Sequence, residues 1–293
     1  MERTKTSPVG ANHFEVRLTK NQREVEAAQR LRYHAFYEGM GVSPKVDVKR
    51  AGLDFDKFDA HCDHLLVIDR SLRASYPSVV GTYRLLRRSV ADTRCGFYSA
   101  GEFDLSPLQN YPGEIVELGR SCVDARYRSK AIMQRLWSGL ASYAQAHDIT
   151  LMFGCASFPG VDPKQMATAL SYLRHHHAAP KSWRPKALPG RYVEMEILKK
   201  HHVDERHALR EMPPLIKGYL RVGGMVGEGA VIDRGFNTVD VCLLVEIGNV
   251  ARRYRHHYLD YKDKRLVGVR GFEPPAPASR RRCSTRLSYT PKP

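Results

Sequence analysis

The chain has 293 residues, 42 % of them hydrophobic and 27 % charged, ordinary values for a globular protein with length enough for a sizeable core. Its longest purely apolar runs are a few residues, such as CLLV at 242–245, which excludes a bilayer-spanning helix. With 47 basic against 31 acidic residues it carries +16, which points to an anionic partner: nucleic acid, a membrane surface or an acidic protein.

Residues 1–13 lack periodicity and read as a loose arm. HFEVRL alternates as a strand does, and TKNQ supplies a capping box, Thr19 with Gln22, before a helix. That helix carries Val25, Ala28, Leu31, Ala35 and Phe36 on one face. HLLVID (64–69), VVGTYRLL (79–86) and EIVELGRSCV (114–123) read as strands. Ser129 caps a helix whose apolar stripe runs through Ile132, Met133, Leu136, Trp137, Leu140 and Ala144. TLMFGCAS follows as a strand, and Asp162-Pro163 opens another helix with Met166, Ala169, Leu170 and Leu173 inward. RYVEMEIL and TVDVCLLVE read as strands flanking the helix PPLIKGYLRVGG, and VARRYRHHYL as a terminal basic helix. Strands alternating with helices predict an α/β, or α+β, mixed sheet in one domain over residues 14–261.

Residues 262–293 stand apart. They hold nine basic and two acidic residues, a net +7, which leaves +9 for the rest of the chain. Proline and arginine dominate without a period, so the segment cannot bury a core and reads as a disordered tail. Its GFEP also resembles the translated antisense strand of a transfer-RNA T-arm, which makes a read-through past a stop near Tyr261 the preferred account over a polybasic tail. The six cysteines (Cys62, Cys95, Cys122, Cys155, Cys242, Cys283) form no C-x-x-C pair and no secretory leader precedes them, so reduced thiols and a cytoplasmic setting are expected. The three histidines at 175–177 point in different directions on a helix and lack partners at ligand spacing, so no metal is expected.

ELGRSCVDARYRSK, residues 117–130, runs from a strand into a helix N-terminus, the arrangement that holds phosphate groups on backbone amides. This resembles the acyl-donor site of the GNAT acyltransferase superfamily, where a glycine-rich loop cradles the pyrophosphate of coenzyme A. RYRSKAIM has no glycine. It suits a single phosphodiester backed by an acidic protein surface, the phosphopantetheine of an acyl carrier protein, met by a basic rim of Arg126, Arg128 and Lys130. LRYHAFYEGM, DFDKFDAHCDHLLVID, VGTYRLLR and VELGRSCV resemble in order the acyl-homoserine lactone synthases. CDHLLVID, LMFGCASFPGVDP, ALSYLRHHHAAP, PPLIKGYLRVGG and FNTVDVCLLVE are more similar to the ornithine N-acyltransferases of bacterial ornithine-lipid synthesis, often labelled hemolysin-like. The likeness covers about residues 14–260.

That resemblance implies a GNAT-like fold, a central mostly antiparallel sheet flanked by helices, with no bound cofactor and 3-hydroxyacyl carrier protein as co-substrate. It implies transfer of the acyl group to the α-amine of L-ornithine, giving lyso-ornithine lipid. A lactone-type signal synthase is the alternative enzyme, disfavoured by the blocks after residue 190. A basic nucleic-acid-binding module is disfavoured because the basic residues are dispersed; peripheral contact with an anionic inner membrane face fits a lipid product.

An α-amine has a pKa of roughly 8, so it must shed a proton before attacking a thioester. Glu117, the acidic member of an E-x-x-R element, is the expected proton acceptor; its other reading is a structural carboxylate satisfying an arginine. Arg120 would face away from Glu117 on a regular strand, so a shared site requires a bulge near Gly119. Arg84 needs a carboxylate partner within its apolar strand, or grips the ornithine carboxylate. Asp59 and Asp63 are the expected contacts for the ammonium groups of the substrate, ahead of Asp54 and Asp56. His64 reads as a core histidine. An apolar channel for the acyl chain is expected from LMFGCASF and the 132–144 helix.

Overall fold

The computed structural model describes residues 13–39, 42–72 and 77–250. The arm, the terminal basic helix beyond Val250 and the 262–293 segment fall outside those residues, as does the side chain of Lys130. In chain order the elements are β1 (Phe14–Leu18), α1 (Gln22–Tyr33), α2 (Val46–Ala51), β2 (Asp63–Asp69), β3 (Val79–Arg87), α3 (Arg88–Arg94), β4 (Phe103–Asp104), β5 (Glu114–Val123), α4 (Lys130–Ala146), β6 (Ile149–Pro159), α5 (Ala167–His176), β7 (Lys186–Ala187), β8 (Tyr192–Val193), α6 (Glu205–Glu211), α7 (Pro214–Arg221), β9 (Met225–Asp233) and β10 (Thr238–Glu246). The strands form one sheet in the order β1-β2-β3-β5-β6-β10-β9-β7-β4, with β8 also paired to β9. Pairing is antiparallel except β5 with β6 and β7 with β9, the mixed, mostly antiparallel sheet expected.

Strand alternation divides the core between two faces. Val116, Leu118, Leu65, Leu85 and Leu243 pack with Ile132, Leu136 and Leu140 of α4 and with residues of α5 and α7. Ile115, Phe153, Cys242 and Leu244 turn to the other face, where Leu66 and Ile68 meet Ala28 and Leu31 of α1. Ser129 caps α4 as expected, its hydroxyl accepting from Ile132 N at 3.4 Å. The cap of α1 is Asn21, which accepts from Glu24 N at 3.1 Å, and not Thr19, whose own N–H is tied to His64 O. RYVEMEIL supplies a strand only at Tyr192–Val193.

The parallel pairing of β5 and β6 ends at Glu117 with Phe153, and beyond it the strands part: β5 continues along β3 while β6 continues along β10. Two features fix that parting. Opposite Thr82 and Arg84, β5 spends an extra residue between Cys122 and Gly119, a bulge centred on Arg120, whose φ of 51° is left-handed. On β6, Gly154 lies so close to the carbonyl of Leu118 that an added Cβ would fall 2.2 Å from its oxygen. Gly154→Ala is therefore expected to destabilise the fold by about 1–3 kcal/mol through overpacking, read as a lowered urea midpoint.

Candidate active site

Glu117 is the last β5 residue before the strands part, and it is buried, 4 % exposed. Its carboxylate accepts Tyr98 N–H at 2.8 Å and Ser99 N–H at 2.6 Å from the turn Tyr98–Gly101. Burial pushes the carboxyl above its ordinary range, and the Ser99 and Tyr98 donors with the nearby Arg84 charge pull it only partly back. Such a group binds a proton more readily than an exposed glutamate.

Around Glu117 opens a cleft of about 250 Å³ on the α1 face of the sheet, with Arg84, Arg120, Tyr98, Asp233 and Asp240 in its wall. The bulge brings Arg120 to the same cleft as Glu117, as a shared site requires, although the left-handed residue is Arg120 itself rather than Gly119. The two guanidinium groups lie over the Tyr98 ring, Arg84 at 5.5 Å and Arg120 at 4.9 Å, and Arg120 lies 5.0 Å from the Phe236 ring.

A second cavity of about 40 Å³ lies on the α4 and α7 face and is walled by Tyr83, Gly154, Tyr219, Leu243 and Val245. Leu118 to Ser121, Cys155, Ala156 and Leu215 border both cavities, so the parted strands are their common wall. Residues 152–156 of LMFGCASF do line this apolar space. The other helix at it is α7; the α4 stripe of Ile132, Leu136 and Leu140 is filled core.

Asp59 is no free contact for an ammonium group. It belongs to a buried ion cluster in which Arg32, 0 % exposed, binds Asp54 at 2.8 Å and Asp59 at 2.8 Å. Arg84 binds Asp56 at 2.7 Å and lies 3.5 Å from Asp59, while Arg120 lies 3.2 Å from Asp54 and 3.3 Å from Asp56. Burial raises the Asp59 carboxyl, but the Arg32 and Arg84 charges outweigh it and hold the group below the usual carboxylate range. Arg84 thus has its expected carboxylate partner. His64 is a core histidine beside this cluster, 1 % exposed with Nε2 3.1 Å from Asp59 O, and burial lowers its pKa first, then Arg32.

Asp63 does not join the cleft. It pairs in register with Leu85, one residue out of phase with His64 and Arg84, so it faces α4 and accepts the Tyr143 hydroxyl at 2.6 Å. Asp63→Asn is accordingly expected to leave the KM for an amino-acid acceptor within about twofold, read by steady-state kinetics. Arg126 and Arg128 are exposed on the loop between β5 and α4, as a rim would be, though Arg126 pairs with Asp124 of its own loop at 2.7 Å. His175 Nε2 lies 2.9 Å from Leu198 O while His176 stacks on Tyr172, so those rings have separate partners.

Three residues of this region escaped the sequence reading. Arg32 organises the aspartate cluster from inside α1. Glu102 and Asp240 place two more carboxylates beside Cys155, the ligand atoms of all three lying within 4.8 Å of one another. An aspartate inside the apolar run TVDVCLLVE is the signal that marks Asp240.

A family profile described as an acetyltransferase (GNAT) domain matches residues 31–138. The L-ornithine Nα-acyltransferase of Agrobacterium fabrum is 47 % identical over 84 % of this chain and 85 % of its own length. That of Rhizobium meliloti is 44 % identical over 84 % of each chain. The chain belongs to the L-ornithine Nα-acyltransferase family. In this family member β5 and β6 part just beyond Glu117. Among solved structures, FeeM, an N-acyl amino acid synthase from uncultured soil microbes, has a TM-score of 0.46 at 10 % identity, covering 80 % of this chain and 91 % of its own. Among the described residues no helix is long and apolar enough to cross a membrane.

Proposed function

We propose that the protein moves a 3-hydroxyacyl group from the phosphopantetheine thioester of acyl carrier protein to the α-amine of L-ornithine, giving lyso-ornithine lipid, the first step of ornithine-lipid synthesis. The observation that carries this reading is the buried, upward-shifted Glu117 carboxyl at the point where the strands part. In that position it accepts the proton of the α-ammonium, directly or through water. Glu117 passes that first proton to solvent, and the neutral amine attacks the thioester carbonyl carbon. The C–N bond forms, the nitrogen of the tetrahedral intermediate gives its second proton to Glu117, the C–S bond breaks, and the carrier thiolate takes that proton as it leaves. The oxyanion that forms between these steps meets backbone N–H groups along the unpaired edges of β5 and β6.

The acceptor enters from the α1 face. Arg84 and Arg120 hold its carboxylate there while themselves anchored by Asp54 and Asp56. The thioester end of the acyl chain meets the apolar space bounded by Gly154, Leu243 and Tyr219 on the opposite face, which at about 40 Å³ takes only its first carbons. Arg126, Arg128 and Lys130 greet the single phosphodiester and acidic surface of the carrier, and the basic body favours residence at an anionic membrane face, where the product belongs.

Incubating the full chain with L-ornithine and either 3-hydroxyacyl carrier protein or the matching acyl-coenzyme A, with mass spectrometry for N-acyl-ornithine, tests this. Product from the carrier in clear excess is the expected result. Equal use of coenzyme A removes the single-phosphodiester account, and no acylated amine from either donor removes the function.

A further inference from the structure

We propose that Asp240, together with Glu102 and Asp233, forms the pocket that receives the side-chain ammonium of the acceptor, so that this carboxylate group selects a basic amino acid. The proposal deepens the ornithine reading and rests on it for the identity of the reaction.

Asp240 lies on β10, 6 % exposed, in the wall of the same cleft as Glu117, and its Oδ1 has no hydrogen-bond partner. A buried carboxylate oxygen left open is costly unless a donor or a cation arrives to meet it. The surroundings ask for a cation. Glu102 is 5 % exposed, and one of its oxygens, the Cys155 sulfur and an Asp240 oxygen all lie within 4.8 Å of one another. Asp233 lines the cleft nearby. Against these stands only Arg191 at 3.4 Å from Glu102, itself 37 % exposed, among the ion pairs of the described residues.

The titration directions agree with that geometry. Burial, then the Asp240 charge, raises Glu102 to about 7. Burial also raises Asp240, tempered by the Ser157 and Thr238 hydroxyls. An ammonium group placed between them is stabilised by both carboxylates and relieves their mutual repulsion.

The position suits a molecule that also reaches Glu117. Ser99 donates its N–H to Glu117 and its Oγ lies 3.3 Å from Cys155 Sγ, which lies 3.2 Å from Glu102 Oε2. One short relay therefore joins the proton acceptor to the cation pocket, as a diamino acid spanning the two requires. An ammonium ion fits this cage better than a metal. Burial, then the neighbouring Glu102 and Asp240 charges, keeps the Cys155 thiol protonated, and a protonated thiol is a hydrogen-bond donor rather than a ligand.

Calorimetric titration of the full chain with L-ornithine and with L-norvaline, which has the same carbon chain without the terminal amine, separates this inference from the acyl-transfer reading because it needs no turnover. The wild-type protein is expected to prefer ornithine, and Asp240→Asn to cut that preference about 10–100-fold. The ratio of the two affinities in the wild-type protein is expected to rise as pH climbs through about 7, where Glu102 ionises. That second measurement holds even where the variant fails to fold. An unchanged preference in a folded Asp240→Asn, a preference flat across pH, or a preference abolished by EDTA each overturns the proposal, the last in favour of a metal. Selective ornithine binding without acyl transfer leaves the pocket standing and removes only the reaction.

Discussion

Glu117→Gln is expected to lower kcat by about 10²–10⁴-fold, the range for losing a general base, with a much smaller change in KM for ornithine. The substitution keeps the size of the side chain, but only one of the Tyr98 and Ser99 N–H groups keeps its acceptor oxygen, so the unfolding midpoint should fall by the equivalent of about 1–3 kcal/mol while the protein stays folded. The pH profile discriminates further. The wild-type base works deprotonated, and burial raises its pKa, so activity should fall as pH drops through that raised value; the variant should lack this limb. A folded variant retaining activity within tenfold would instead assign Glu117 to holding the 98–101 turn.

The largest expected effect on stability is at Arg32. Arg32→Ala strands Asp54 and Asp59, both buried, without their shared guanidinium. Removing one partner from a buried ion cluster costs about 3–5 kcal/mol, a large share of the stability of a domain. Urea unfolding at neutral pH checks it. The cluster also gives the wild-type protein an acid limit. Asp59 has a folded pKa below its unfolded value, so its contribution is complete above the unfolded pKa of about 3.9 and is lost as pH falls through the lower folded one. In Arg32→Ala that loss should begin at higher pH. Because Asp54 and Asp56 also anchor Arg120 and Arg84, variants that stay folded should show a raised KM for the amino acid.

Much of this was legible in the amino-acid sequence, and the exceptions have physical reasons. β2, β3, β5, β6 and β10 are largely buried and rich in apolar residues because both faces of the sheet are covered, and such stretches declare themselves. β9 carries Gly227 and Gly229 within its run and was passed over. Those glycines are there because neighbours crowd the strand: a Cβ on Gly229, at φ 77°, would lie 2.4 Å from the Tyr192 ring. The E-x-x-R spacing correctly demanded a bulge, but that a bulky arginine and not the adjacent glycine takes the left-handed residue depends on the Asp54 and Asp56 charges that hold it. Charge alone misled at Asp59 and Asp63. Acidic residues near a substrate site look like ammonium contacts until the partners Arg32 and Tyr143, distant in sequence, are placed beside them. The Glu102–Asp240 pair was hidden for the same reason, since only the joining of β10 to β6 brings Asp240 near Cys155.

The two cavities lie on opposite faces of one sheet and share the parted strands as their wall. Under the proposed reaction, acceptor and acylated carrier need not take turns. Each enters by its own door and a ternary complex forms, with no covalent intermediate between enzyme and acyl group. The neutral Cys155 thiol at the junction agrees, since it has no thiolate with which to capture the chain. Initial-velocity lines for the two substrates would then intersect rather than run parallel. The carrier could also dock and wait, its thioester shielded from water, until an amino acid arrives from the other side.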